Sequence, residues 1–121
     1  VPNTESHRNC REWLISELTR HGASVTRQDV KLTAFDGTTL DATNMRGSFN
    51  PESSDRLLLL AHWDCRPWAD ADPDPANHKK PVDGANDGAS GVGVLLEIAR
   101  QIGKNTTDKG IDILFVDAED C

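Results

Sequence analysis

The stretch RLLLLAHWD at residues 56–64 decides the fold. Its apolar run, Leu57 to Ala61, lacks polar alternation, which is typical of a strand buried on both faces of a parallel or mixed sheet. A second apolar segment, Ile111 to Val116, has the same character. Between them, residues 88–102 carry apolar side chains at helical spacing, and Gly103 follows as a stop. Strand, loop, helix and strand in this order predict a right-handed βαβ unit with parallel strands.

The chain before this unit predicts one helix and one hairpin. Residues 5–21 carry apolar side chains at three- and four-residue spacing, which is typical of an amphipathic helix that ends at Gly22. Apolar and polar residues alternate on both sides of Asp36-Gly37, which predicts two antiparallel strands joined at that turn. The segment from Trp63 to about Asn86 is rich in Asp, Pro and Asn. A loop of this length inside a compact domain is usually functional.

Composition and charge disfavour several broad classes of function. The 121 residues carry a net charge of −7, and the excess lies in residues 62–121, which have 12 acidic and 6 basic side chains. Nucleic acids and anionic membranes are bound by clustered cations, so a metal ion or a substrate ammonium group is the favoured partner. No apolar run approaches the roughly 20 residues that span a bilayer. Three cysteines without C-x-x-C spacing support neither a Cys-only zinc site nor a disulfide framework.

Polar side chains follow both predicted strands and precede the helix between them. In chain order they are His62, Asp87, Asp117, Glu119 and Asp120. The carboxyl ends of parallel strands and the start of their crossover helix share one edge of the sheet, where ligands bind. Imidazole and carboxylate groups are zinc ligands, and three carboxylates against a buried strand repel one another unless a cation is present. The residues therefore predict a metal site in which one carboxylate of an adjacent pair ligates and its neighbour moves protons.

Weaker motifs keep simpler interpretations. A single acidic residue before a helix or after a strand is most often a cap or a solvated loop end, and this applies to Asp87 taken alone. The glycines of residues 88–93 do not match the dinucleotide fingerprint, and they favour close packing of a helix on the sheet. A third group, Asp70, Asp72 and Asp74, imitates the start of a calcium loop but lacks its Gly and Glu, which predicts a solvated acidic loop.

Three ordered motifs resemble the zinc-dependent exopeptidase family. They are AHWDCRPWAD at 61–70, GANDGASG at 84–91 and DAED at 117–120. Within that superfamily the sequence is most similar to the bacterial glutaminyl-peptide cyclotransferases, or glutaminyl cyclases, over about residues 30–121. The resemblance implies an α/β fold with three αβα layers, of the phosphorylase/hydrolase-like type, with a mixed, centrally parallel sheet. Residues 1–121 would then form the N-terminal part of one catalytic domain of about 250–300 residues.

The resemblance also implies roles for individual residues. Asp87 takes the place of the metal-bridging aspartate, and Asp120 that of the carboxylate ligand after the catalytic residue. Glu119 matches the general acid/base glutamate. His62 matches the histidine that binds a second zinc in the aminopeptidases and lies outside the single-zinc site of the cyclases. Zinc is the implied cofactor, with one ion expected for a cyclase and two for an aminopeptidase.

Residues around these ligands have predicted supporting roles. Asp64 is expected to orient His62 through a hydrogen bond, and Asp117 is expected to support the ligands in the same way. Trp63 and Trp68 are candidates for lining a substrate pocket, and packing of at least one of them in the core is equally expected. The family often has a cis peptide after the bridging aspartate, which implies a cis bond before Gly88.

Two enzymatic activities are implied for this one site. A cyclase would convert the N-terminal glutamine of a peptide to pyroglutamate and release ammonia, whereas an aminopeptidase would hydrolyse the first peptide bond with Glu119 activating water. Glu119-Asp120 stands where aminopeptidases usually have two glutamates, which together with the Arg66-Pro67-Trp68 loop favours the cyclase. A non-catalytic binding module with a lost metal site is the alternative from another class.

Partners and location follow from the same resemblance. The expected partner is the N-terminus of a peptide, and the expected location is extracytoplasmic, either periplasmic or secreted, since the chain also lacks an initiator Met. The last recognised motif ends one residue before Cys121, and a further metal ligand is expected beyond it. We therefore expect this chain alone to be inactive and to be able to self-associate through a bare sheet edge.

Overall fold

A computed structural model describes residues 1–105 and 107–121, and in these residues two helices pack on one face of a four-stranded sheet. The elements are α1 (Glu5–Arg20), β1 (Ser24–Thr33), β2 (Thr39–Phe49), β3 (Arg56–His62), the 3-10 helix Pro75–Asn77, α2 (Ala89–Lys104) and β4 (Gly110–Val116). α1 contacts β1 and β2, α2 contacts β3 and β4, and the helices contact each other. The described residues thus form one helical layer and one sheet, which are two of the three layers that the resemblance implies. No helix in the described ranges is long and apolar enough to cross a membrane.

The sheet is mixed, with strand order β1-β2-β4-β3. β1 pairs with β2 and β2 with β4 in antiparallel fashion, whereas β3 and β4 run parallel from Arg56↔Gly110 to His62↔Val116. Because α2 lies between β3 and β4 in sequence, the predicted βαβ unit is confirmed. The parallel pairing puts the ends of β3 and β4 at the same edge of the sheet.

Local signals place α1 and the hairpin. The Thr4 side chain accepts a hydrogen bond from His7 N at 3.1 Å and caps α1, which ends one residue before the predicted boundary. In the hairpin, Asp36 Oδ1 accepts from Thr38 N at 2.8 Å, and Gly37 takes a φ of +87°, which favours glycine. Both strands extend beyond the predicted alternation: the added residues of β1 are mostly polar and exposed, whereas those of β2 bury Met45, Gly47 and Phe49 at alternate positions.

The core lies between the helices and the sheet. The largest fully buried apolar side chains are Leu14, Leu18, Met45, Ile113 and Phe115. At Gly91 an added Cβ would stand 3.2 Å from Ala61 Cβ, so the small residues at the start of α2 do allow the helix to lie close to β3. This agrees with the packing interpretation of the glycines.

The acidic segment after β3 is held by its own carboxylates. Asp72 Oδ1 accepts from Asp74 N at 2.8 Å and from Asn77 Nδ2 at 3.1 Å, and Asp74 caps the 3-10 helix through Ala76 N at 3.0 Å. These carboxylates organise turns, which agrees with the prediction that they form a solvated loop and do not begin a calcium loop.

An ion pair links the parallel strands at the end opposite the polar edge. Arg56 donates to both Asp112 oxygens, from Nε at 2.9 Å and from Nη2 at 2.8 Å, and Ser48 Oγ donates to the same carboxylate. The hydrogen bonds from Arg56, followed by that from Ser48, lower the pKa of Asp112 to about 2. A carboxyl whose pKa is lower in the folded than in the unfolded chain stabilises the fold above its unfolded pKa, and the contribution is lost as the pH falls through the folded pKa.

We expect Asp112→Asn to lower the free energy of unfolding by about 1.5–3 kcal/mol at pH 7, the range for hydrogen bonds to charged groups. The difference from the parent protein should persist at pH 5 and shrink as the pH falls toward 2. Urea denaturation at pH 7, 5 and 3 measures it. The control is Asp41→Asn, which removes the exposed pair with Lys31 and should cost about 1 kcal/mol or less. An equal decrease in the free energy of unfolding in the Asp112→Asn and Asp41→Asn variants would contradict the prediction.

Candidate active site

The structure brings the predicted polar residues together at one edge of the sheet. His62 ends β3, and its Nε2 lies 3.1 Å from Asp87 Oδ1 at the start of α2. His62 Nδ1 lies 3.4 Å from Asp64 Oδ1 and 4.0 Å from Glu119 Oε2. An imidazole at the end of one strand is therefore surrounded by carboxylates from three segments of the chain.

Asp64 contacts both His62 and the turn after β4. Its side chain is buried, and its two oxygens accept from the backbone N–H groups of Glu119 at 3.1 Å and Asp120 at 3.0 Å. His62 Nδ1 is close to Asp64 but has no hydrogen-bond partner among the described residues. Asp64 therefore holds the turn after β4 and lies beside His62, and its role in orienting His62 stays a prediction. The two backbone donors give no signal in the sequence.

The side chain of Asp117, like that of Asp64, is buried in the interior. One of its oxygens accepts from Thr43 N at 2.7 Å, and the other accepts from His7 Nε2 and Ala118 N, both at 2.9 Å. Asp117 N in turn donates to Asn44 Oδ1 at 3.0 Å. Asp117, the predicted supporting residue, thus accepts hydrogen bonds from the backbone of the turn after β4 and of β2. His7, which sequence reasoning missed, is its partner from 110 residues away.

The donor set fits a zinc ion. His62, Asp64 and Asp120 each offer a ligand atom, and these atoms lie within 4.8 Å of one another. His62 Nδ1 and Asp120 Oδ2 are buried without a hydrogen-bond partner in the described ranges. A buried polar atom without a partner costs about 1–3 kcal/mol, and imidazole nitrogen with carboxylate oxygen is a zinc-type ligand pair. Asp64 accepts one backbone N–H on each oxygen, whereas His62 Nδ1 and Asp120 Oδ2 have no partner in the described ranges.

The charges around His62 alter its proton affinity. Burial lowers the pKa of the imidazole, but the negative charges of Asp64, Glu119 and Asp120 outweigh it, so the pKa of His62 is raised above its usual value. A metal ion binds the neutral imidazole, so the raised pKa of His62 works against metal binding by this residue. Burial, followed by the Asp64 charge, raises the pKa of the Cys121 thiol to about 11, so this thiol is protonated at neutral pH and is a poor nucleophile.

The two candidate tryptophans have separate places. Trp63 is buried, and its Nε1 donates to Thr43 O at 2.9 Å while its ring stacks on His7. This corrects its assignment as a substrate-binding residue, since the strand-end backbone points the indole into the core. Trp68 is 53% exposed and lines a cleft of about 630 Å³ that also has Glu119 and Asp120 in its wall.

The peptide bond before Gly88 is trans, because no cis peptide occurs in the described part of the chain, and the cis expectation is wrong here. The close turn is made by Gly88 itself, which has a φ of +92°. An added Cβ at Gly88 would lie 2.6 Å from Asp64 O and 3.2 Å from His62 Cε1. Both the backbone conformation and the missing side chain therefore allow the start of α2 to meet the end of β3.

Comparison with known proteins assigns the family. The model of Peptidase family M28 matches residues 44–121. A Zn-dependent exopeptidase from Parabacteroides distasonis is 61% identical with a TM-score of 0.96, and the match covers 99% of this chain and 41% of that chain. Tannerella forsythia glutaminyl cyclase is 60% identical with a TM-score of 0.96 and the same coverage. Bacteroides thetaiotaomicron glutaminyl cyclase bound to N-acetylhistamine is 55% identical with a TM-score of 0.97, over 100% of this chain and 41% of that one.

The chain belongs to Peptidase family M28. The predicted α/β fold with a mixed sheet is confirmed by the topology and by these relatives. The chain spans about two fifths of their length.

Gly88→Ala should destabilise the protein and weaken metal binding. The left-handed backbone alone costs about 1–2 kcal/mol for a residue with a Cβ, and the contact with Asp64 O forces the start of α2 away from β3. Thermal denaturation and a zinc competition titration measure the two effects. In the control Gly93→Ala the added Cβ meets no described atom within 4 Å, and this helix position should gain up to about 1 kcal/mol. Normal zinc affinity in Gly88→Ala would refute the argument.

Proposed function

We propose that the protein is a zinc-dependent glutaminyl-peptide cyclotransferase that converts an N-terminal glutamine to pyroglutamate with release of ammonia. The observation that carries the proposal is the opposite placement of two adjacent carboxylates. Glu119 is 59% exposed at the cleft, whereas Asp120 keeps a buried oxygen without a partner in the described ranges. One carboxylate is thus free to move protons and the other to bind a cation. Two relatives that are 60% and 55% identical are glutaminyl cyclases, and one that is 56% identical is a leucine aminopeptidase precursor.

The proposed site has separate roles for its residues. Asp87 and Asp120 would hold the zinc ion, which when bound supplies a Lewis acid for the side-chain carbonyl of the substrate glutamine. Glu119 accepts a proton from the substrate α-amine as that nitrogen forms a bond to the side-chain carbonyl carbon. The bond from this carbon to the amide nitrogen then breaks, and Glu119 returns the proton to the departing ammonia. The amine and amide belong to one residue, so no second reactant has to be positioned.

We propose one zinc ion for this activity, and the choice of Asp87 as its second ligand in place of His62 rests on the family resemblance. The Nδ1 atom of His62, which has no partner in the described ranges, favours a two-zinc alternative. The 3.1 Å contact from His62 Nε2 to Asp87 Oδ1 suits a role in orienting that carboxylate. The alternative is a zinc aminopeptidase, which the 61% identity to a Zn-dependent exopeptidase favours. In that enzyme His62 would bind a second zinc, and Glu119 would activate a water molecule.

The partner and location complete the proposal. We propose that the partner is the N-terminus of a peptide and that the protein acts outside the cytoplasm, which cell fractionation tests and which family resemblance alone supports. Self-association through β3 stays a prediction. It rests on the position of β3 at the end of the sheet order and on the exposed Leu58 and Leu60, and size-exclusion chromatography of the 121 residues tests it.

Incubation of the protein at its natural full length with a glutamine-initiated peptide separates the candidate activities. A cyclase releases ammonia and leaves a peptide whose mass is lower by one ammonia molecule. An aminopeptidase releases free glutamine, which would overturn the cyclase proposal. A full-length protein that binds no zinc and acts on neither bond would support a non-catalytic module.

Glu119→Gln should lower kcat for the glutamine-initiated peptide by about 10²–10⁴-fold, the usual contribution of a general acid/base. The zinc content should stay at the parent level because Glu119 is not a proposed ligand. Ammonia release and metal analysis measure the two quantities. Glu52→Gln, at an exposed turn, is the control and should leave both unchanged. Parent-level turnover in Glu119→Gln would remove this residue from the mechanism.

Trp68→Ala should raise KM by about 10-fold with a smaller change in kcat, because the indole contributes apolar contact area to substrate binding. Trp13→Ala is a matched control, since Trp13 is 52% exposed on α1 and does not line the cleft. Steady-state kinetics on the same peptide compare them. Equal KM changes in both variants would show that Trp68 does not contact the substrate.

A further inference from the structure

His7 connects α1 to both segments that carry the site. It lies in the first turn of α1, is 4% exposed, and its ring stacks on Trp63 with centroids 4.1 Å apart and planes 18° apart. Its Nε2 lies 2.9 Å from Asp117 Oδ1. A carboxylate only accepts, so Nε2 carries a proton and donates. Trp63 directly precedes Asp64, and Asp117 directly follows β4, so one side chain contacts both strand ends.

The turn after β4 depends on the carboxylates at these strand ends. The backbone N–H of Ala118 donates to Asp117, and the N–H groups of Glu119 and Asp120 donate to Asp64. Three successive N–H groups of the turn thus donate hydrogen bonds to two buried carboxylates. The direction in which Glu119 and Asp120 point is set by these hydrogen bonds.

The turn also has a backbone conformation that must be held by its surroundings. Ala118 takes a φ of +58°, in the left-handed region that costs a non-glycine residue about 1–2 kcal/mol. Such a conformation persists only when neighbouring contacts determine it. Here the Asp117 carboxylate, through its contact with Ala118 N, is one of those contacts.

We propose that His7 is a positioning residue that holds the Asp117 carboxylate and, through it, the turn that presents Glu119 and Asp120. The inference rests on the proposed function and deepens it. Without the His7 donor, Asp117 keeps a buried negative charge with one partner fewer, which destabilises its present orientation. Reorientation of its side chain weakens the hold on Ala118 N, and the adjacent metal and acid/base carboxylates lose their fixed directions.

A purely structural role for His7 predicts a different pattern of mutant effects. Stacking on Trp63 needs a side chain of similar bulk, whereas the contact with Asp117 needs an N–H donor. His7→Met keeps much of the bulk and removes the donor. His7→Gln places an amide donor at a similar distance along the side chain. Comparison of these two variants at one position therefore isolates the hydrogen bond.

The test uses the protein at its natural full length, as the parent and as three variants: His7→Met, His7→Gln and Leu18→Ala. Leu18 is fully buried on the same helix, so its truncation destabilises the protein without removing a contact to the turn. Three quantities are measured for each protein. They are the zinc dissociation constant by competition with a chromophoric chelator, kcat and KM for a glutamine-initiated peptide, and hydrogen exchange of residues 118–120 in the metal-free protein.

We expect His7→Met to weaken zinc binding by about 10-fold or more, in the range found when partners of metal ligands are removed. It should also lower kcat with KM nearly unchanged and speed exchange at residues 118–120. His7→Gln should recover most of each loss, and Leu18→Ala should lower the melting temperature while keeping zinc affinity. The proposal is overturned if His7→Met binds zinc like the parent, if both His7 variants behave alike, or if Leu18→Ala weakens zinc equally. If the parent acts on no glutamine-initiated peptide while the zinc and exchange pattern holds, the positioning role stands and the proposed function fails.

Discussion

The site depends on two buried carboxylates, Asp64 and Asp117, that accept hydrogen bonds from consecutive backbone N–H groups of the turn after β4. A buried charge is tolerated only where such donors surround it. Asp64, Asp117 and the turn after β4 therefore depend on one another. The carboxylates need the turn to be satisfied, and the turn needs the carboxylates to keep Ala118 in its left-handed conformation. A shift of β3 relative to β4 would leave both sets of groups without partners.

The parallel pairing of β3 and β4 allows the turn after β4 to donate its hydrogen bonds to Asp64 and Asp117. His62 is opposite Val116, and the pairing continues one step further, with Trp63 N donating to Val116 O at 3.0 Å. This register places Asp64 next to the residues that follow Asp117. On the other side, the absence of a side chain at Gly88 lets α2 begin against Asp64 O. Strand register and one glycine together bring the site residues to a single edge.

Much of this arrangement could be predicted from the sequence because its causes are local or topological. Apolar runs and helical spacing predicted β3, α2 and β4, and the βαβ rule predicted that His62 and Asp120 meet. The outer half of β1 was missed because residues such as Thr26 and Gln28 pair through their backbones and show no apolar period, whereas the outer half of β2 does carry a signal in the alternate burial of Met45 and Phe49. The contact of His7 with Asp117 was also missed, since it joins residues 110 positions apart and no local pattern marks it.

The acidic residues of the second half differ in their hydrogen-bond partners, and these partners decide what each carboxylate can do. Asp64 and Asp117 are satisfied by backbone donors in the interior, and Asp72 and Asp74 are satisfied by turns in the loop. Hydrogen bonds from N–H groups partly offset the negative charge that these carboxylates present to a cation. Asp120 differs in keeping a buried oxygen without a partner in the described residues. The capacity to bind a metal therefore comes from which few carboxylates the fold leaves free, and net charge alone does not measure it.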